Sequence, residues 1–130
     1  MKKFTSIILC AVFLLSLCSC GGKPEDMSDA MYQIGQNALA VADQYIAGEI
    51  TGDDAYDRFE EFHKQAEAQE EHAKELTNSD TLVGTEYWRD SNVSFYIFIL
   101  KCDIGDAKYG SGPRSDVKES RDKLAEALGE

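Results

Sequence analysis

Val93-Ser94-Phe95-Tyr96-Ile97-Phe98-Ile99-Leu100 is the most apolar run after residue 20, and its reading decides the fold. Its β-branched and aromatic residues favour a strand. Periodicity within so short an apolar run does not separate a strand from a buried helix. No other stretch after residue 20 reads as a strand, so a strand here would lack a pairing partner. The run is therefore read as the middle of a helix that starts near Thr85. On that helix Trp88, Phe95, Ile99 and Cys102 share one face, widened by Tyr96 and Leu100, and this face is expected to point into the core. The run is too short to cross a bilayer as a helix.

Helical signals also surround it. Residues 28–47 place Met31, Ile34, Ala38, Val41 and Tyr45 at steps of three and four, with Tyr32, Leu39 and Ile46 in a second row. That is a broad apolar face. Ser28 suits the N-cap and Asp29 the first turn. Gly48 stops this helix, and Thr51 with Asp54 resembles a capping box with Asp in the Glu position. Residues 53–76 carry a second seam: Ala55, Phe59, Phe62, Ala66, Gln69, Ala73 and Leu76. Its first half is aromatic and should pack deeply, and its second half is small and polar. Residues 78–84 end this helix and connect it to the next. Tyr109-Gly110-Ser111-Gly112-Pro113 breaks the chain, and residues 115–128 form a last helix with Val117, Leu124 and Leu128 inward and a Glu119–Lys123 pair outward. The expected fold class is all-α: a small helical bundle of three long helices plus a shorter C-terminal helix. Short connections make sequential helices antiparallel neighbours.

The N-terminus has a different character. Lys2 and Lys3 precede an apolar run over residues 4–17, broken only by Thr5, Ser6 and Ser16. Then comes Leu17-Cys18-Ser19-Cys20. Charge, apolar run and small residues in that order suit a cleaved signal peptide. The four-residue motif resembles the lipobox of bacterial lipoprotein precursors. The resemblance covers roughly the first 22 residues and implies a diacylglycerol thioether on Cys20, cleavage before it and acylation of the new N-terminus. Residues 1–19 are then signal peptide, 20–27 a lipidated cysteine and flexible tether, and 28–130 the bundle domain. The implied location is the extracytoplasmic face of the cell membrane or outer membrane. Gly21 after Cys20 leans toward the outer membrane where the host has one. Cleavage would remove Cys10 and Cys18, leaving Cys102 as the one thiol, expected as a small buried hydrophobe.

Losing Lys2 and Lys3 leaves 11 basic against 24 acidic residues, a net charge of −13 for residues 20–130. A field of that sign excludes nucleic acid as a partner and disfavours an anionic membrane surface. Signatures of catalysis are missing: no Gly-x-Ser-x-Gly, no phosphate-binding Gly-rich loop with Lys, no His-Glu-x-x-His and, after residue 20, no Cys-x-x-Cys. Glu60 and His63 have the Glu-x-x-His spacing of di-metal bundles, but in a single copy, so they are weak metal candidates. His63 and His72 fall on nearly opposite helix faces. Tyr56, Trp88 and Tyr96 are candidates for lining a groove between helices. No cofactor is expected. The sequence thus reads as a membrane-anchored, non-enzymatic binding or interaction module. Its expected partners are the membrane through Cys20 and an envelope protein or small apolar ligand. The alternatives are an envelope enzyme or enzyme accessory with a site between helices, or a metal-binding bundle.

Overall fold

The computed structural model describes residues 22–76 and 86–130. Cys20 and the rest of the lipobox lie outside these residues, as does Thr85, the expected start of the third helix. Among the described residues the chain forms four helices and no strand: α1 (Asp29–Ile46), α2 (Gly52–Leu76), α3 (Glu86–Tyr109) and α4 (Arg114–Ala127). The protein is an all-α bundle. Residues 93–100 are helical because packing overrides the local preference of their β-branched side chains. Val93, Ile97, Leu100 and Ile104 are fully buried in one row along α3.

The helix ends follow from local chemistry. Ser28 caps α1, its Oγ accepting the Met31 N–H at 3.1 Å. Thr51 opens α2: its Oγ1 accepts the Asp54 N–H at 3.1 Å and its hydroxyl donates to Asp54 Oδ2 at 2.8 Å. The shorter Asp side chain bonds the hydroxyl, where a Glu would reach back to the backbone N–H. Gly48 and Gly110 adopt φ of 76° and 73°, a left-handed conformation open to glycine at little cost. Each closes a Schellman motif. After α1, Gly48 N–H donates to the Tyr45 carbonyl and Glu49 N–H to that of Gln44. After α3, Gly110 N–H donates to Ala107 and Ser111 N–H to Asp106.

The two short turns fold the helices up, down, up, down. Lys108, late in α3, pairs with Asp53, early in α2. Gln69, late in α2, donates to Ser28 at the start of α1 at 3.2 Å. Arg114, opening α4, lies 5.3 Å over the Tyr45 ring at the end of α1. α1 and α3 touch across the centre, and both touch α2 and α4. Gly35 permits that closeness: a Cβ there would stand 2.6 Å from Leu128 Cδ2 and 3.2 Å from Val93 Cγ1. Phe59, Met31, Ile97, Leu100, Ile104 and Leu124 fill the middle.

Three sequence expectations need correction. Leu76, the last residue of the α2 seam, is 69% exposed, because the seam runs past the end of the core. Ile46 likewise sits at the exposed end of α1. Residues 22–27 are not a loose tether. Met27 is buried in the core, Asp26 accepts from Arg89 Nε through both carboxylate oxygens at 3.1 Å, and Lys23 Nζ reaches Asp29 at 2.9 Å. The apolar Met27 side chain pulls this polar segment onto the bundle.

One buried charge organises this end, the base of the bundle. Asp90 of α3 has no exposed surface. Its Oδ1 accepts the Ser28 N–H at 3.1 Å and its Oδ2 the Ser28 hydroxyl at 2.5 Å. Burial pushes the Asp90 carboxyl above the usual carboxylate range, against the opposing pull of its Ser28 and Gln69 hydrogen bonds. Removing the hydroxyl with Ser28→Ala takes away both a helix cap and a donor to a buried carboxylate. The expected loss is about 1–3 kcal/mol in urea denaturation. An acid whose folded pKa is raised holds its proton more tightly in the folded state. Its stabilising contribution is full at low pH and falls as pH rises through the folded value. The unfolding free energy of wild type minus that of Asp90→Asn should therefore increase between about pH 7 and about pH 4. A difference that shrinks over that range would refute the buried-acid account.

Candidate interaction face

Residues 91–100 contain no charged side chain, so every face of the middle of α3 is uncharged. Three neighbouring helices cover one side. On the other, Phe95 is 55% exposed, Trp88 44% and Phe98 40%, and Cys102 is exposed beside them. Trp88, Phe95 and Cys102 recur every seven residues and so line up along the helix. From Trp88 to Cys102 the strip is about 21 Å long at 1.5 Å per residue. At about 150–250 Å² per aromatic side chain, its three rings leave about 200–350 Å² uncovered. An exposed apolar area of this order is the size of the largest patch on an ordinary monomer, which is often functional.

The rings are held in place from the sides. Phe98 packs on the His63 ring of α2 with centroids 5.2 Å apart, and Phe95 meets Tyr96 edge-on at 5.5 Å. Ser91 donates to Glu70 of α2 at 3.0 Å. Three charged residues of α3 bind neighbouring elements. Arg89 holds Asp26, Lys108 pairs with Asp53, and Asp103 accepts from Ser120 of α4 at 2.5 Å.

The strip overturns the sequence expectation for α3 at three positions, while Leu100 is inward as expected. Trp88, Phe95 and Cys102 point outward, and the buried row is Val93, Ile97, Leu100 and Ile104. An all-round apolar run does not mark its outer side, and Arg89, Asp103 and Lys108 are engaged in lateral contacts. Cys102 is correspondingly not a buried hydrophobe. Partial desolvation, followed by the charge of Asp103, pushes its thiol above its ordinary pKa, so it is not an activated nucleophile.

Tyr56, Trp88 and Tyr96 do not share a groove. The Tyr56 ring lies against Gly105, with Lys108 and Lys101 at 5.3 and 5.9 Å from its centroid. Gly105 is about 25 Å along α3 from Trp88. Tyr96 faces a separate, open hollow of about 250 Å³ between α3 and α4, lined also by Arg89, Asn92, Lys123 and Glu126. Both cations of that hollow are paired, Arg89 with Asp26 and Lys123 with Glu119 at 2.7 Å, so it presents no free positive charge to an anion. Glu60 is held by Lys64 at 3.1 Å, which together with Lys101 keeps its carboxyl below the usual range. His63 Nε2 lies 3.6 Å from Glu67, and its buried Nδ1 has no hydrogen-bond partner. Glu60 and His63 thus look to different neighbours. Among the described residues no three His, Cys, Asp or Glu side chains gather as a metal site, and no helix is long and apolar enough to cross a membrane.

Compared with known proteins, the chain matches no family model, no curated protein and no solved structure. The two faces of α3 are separable by mutation. Ile97→Ala should cost about 2–5 kcal/mol in thermal or urea melts, whereas Phe95→Ala should stay within about 0.5 kcal/mol. A larger loss at Phe95 than at Ile97 would reverse the assignment of the faces.

Proposed function

We propose that this protein is a membrane-anchored extracytoplasmic lipoprotein and a non-enzymatic interaction module, with the outer face of α3 as its docking surface. The observation that carries the reading is the uncharged aromatic strip of Trp88, Phe95 and Phe98 on a chain of formal net charge −11. The other large exposed apolar residues among those described, Ile46, Leu76 and Tyr109, stand singly at helix ends. On α3 the bundle offers three rings that gain by losing contact with water. The lipobox resemblance at Leu17-Cys18-Ser19-Cys20 supplies the anchor, with a lipidated Cys20 as its attachment point.

The fold of residues 22–27 bears on what such an anchor would do. Lys23 already contacts α1 through Asp29, so the free reach from Cys20 is about three residues, or about 10 Å. The base of the bundle, where α1 and α3 begin, would sit against the membrane surface. Diacylglycerol together with an N-acyl chain would hold it there stably, since a single chain binds only reversibly.

The reading predicts that the full chain labels with radioactive palmitate and pellets with membranes, and that Cys20→Ala abolishes both. Labelling and pelleting that survive Cys20→Ala would refute the anchor. Phe95→Asp should leave anchoring unchanged and weaken protein crosslinking in intact membranes. Unchanged crosslinking would refute the docking surface.

A further inference from the structure

We infer that residues 22–27 are a proton-linked strap: it lies closed on the base of the bundle while Asp90 holds a proton, and it lifts off when Asp90 ionises.

The closed strap is a turn with a single buried anchor. Met27 N–H donates to the Pro24 carbonyl at 3.1 Å, which folds the segment back on itself. Lys23 Nζ clasps the turn, donating to the Met27 carbonyl at 2.7 Å and pairing with Asp29 at 2.9 Å. The other edge rests on the residues after α4: a Cβ at Gly129 would stand 3.4 Å from the Gly22 carbonyl oxygen and 3.5 Å from Pro24 Cγ. Met27 is the one residue of the segment buried in the core. The ion pairs beside it, Asp26 with Arg89 and Lys23 with Asp29, are open to water and hold weakly. Lifting the strap withdraws one side chain from the core and leaves the helices their own contacts, which is the pattern of a segment that opens locally.

The strap ends on Asp90. The Met27–Ser28 peptide carries the N–H that Asp90 Oδ1 accepts at 3.1 Å, so that bond depends on where the strap leaves the peptide. Lys23 of the strap is near enough to act on the Asp90 charge. α1 adds the Ser28 hydroxyl and α2 the Gln69 amide, both uncharged. α4 brings the apolar Leu128 to this end, beside Val93. The other charges of the base are engaged elsewhere: Asp26 with Arg89, Asp29 with Lys23, and Glu70 with the Ser91 hydroxyl. Glu86, one turn before Asp90 on α3, is exposed.

The linkage follows from water. In the closed base, burial outweighs the Ser28, Gln69 and Lys23 contacts and favours the protonated acid. Lifting the strap frees the Ser28 N–H and gives water a path to the carboxyl, and water favours the ionised form. The closed state therefore binds the proton more tightly than the open one, and raising the pH opens the strap. Asp26 is not the switch, because the Arg89 guanidinium holds its carboxyl below the ordinary range and keeps it ionised.

With Cys20 as the lipid anchor proposed above, opening lengthens the leash. The free chain grows from about 10 Å to about 27 Å, eight residues from Cys20 to Ser28. The bundle would stand farther off the membrane at neutral pH than in acid. That consequence rests on the anchor; the strap itself does not.

The test is residue-resolved hydrogen exchange of the full chain between about pH 4 and about pH 7, corrected for the intrinsic pH dependence of amide exchange. The reporter is Met27 N–H, which is bonded to Pro24 and not to Asp90. Its protection should fall about threefold or more over that range, and by no more than about tenfold per pH unit for a single proton. The amides of Ile97 and Leu100 should remain far better protected throughout. Asp90→Asn, which mimics the protonated acid, should abolish the fall. Met27→Ala keeps Asp90 and removes the anchor, so position 27 should lose its protection at both ends of the range while Ile97 keeps its own. The inference is overturned by Met27 protection that stays level or rises with pH, by an equal fall in Asp90→Asn, by Met27 and Ile97 amides that exchange together, or by protection that survives Met27→Ala. Palmitate labelling plays no part in this readout, so a failed anchor leaves the strap standing and a failed strap leaves the anchor.

Discussion

The structure depends on how much of α3 its neighbours can cover. Ten consecutive uncharged residues, 91–100, form nearly three turns of helix with apolar side chains on all sides. A helix apolar all round is at home only when it is surrounded. Here α1, α2 and α4 contact it, bury Val93, Ile97, Leu100 and Ile104, and leave Trp88, Phe95 and Phe98 outside. The bundle is in that sense one neighbour short. A monomer of this size gains its stability from the buried row. The outer row adds little to that and is available for association.

The base of the bundle gives that open side a direction. Ser28 is at once the N-cap of α1 and the donor of two hydrogen bonds to Asp90. Through it the start of α1 is locked to the start of α3, with Gln69 of α2 closing the network. Asp26 and Arg89 repeat the link one layer further out. A buried carboxylate is costly unless its oxygens are satisfied, and its position specifies how the two helices meet. The N-terminal segment is thereby joined to the helix that carries the strip, so anything holding that segment also orients the strip.

The fold was largely legible in the sequence, because it rests on long periodic segments with clear stops. Gly48 and Gly110 end helices where a left-handed residue is needed, and Ser28 and Thr51 start them. α1 and α4 present one apolar face each, so Met31, Ala38, Val41, Tyr45, Val117, Leu124 and Leu128 are inward as their spacing predicts. The outward face of α3 was not legible. Its apolar residues encircle the helix, and three of its charged ones, Arg89, Asp103 and Lys108, serve neighbouring elements. The one available cue was the row Val93, Ile97, Leu100 and Ile104, made of aliphatic residues without aromatics. Asp90 continues that row toward the base and would have been read as polar, hence outward. The scattering of Tyr56, Trp88 and Tyr96 was equally invisible, since it depends on which helix flanks each side of α3.

Trp88 is the single tryptophan of the chain and lies in the strip, so its fluorescence reports directly whether the outer face of α3 becomes covered. The decisive measurement is its emission and acrylamide quenching in the full chain at low protein concentration. The account predicts emission typical of a partly water-exposed indole that acrylamide quenches readily. Blue-shifted emission protected from acrylamide would contradict it.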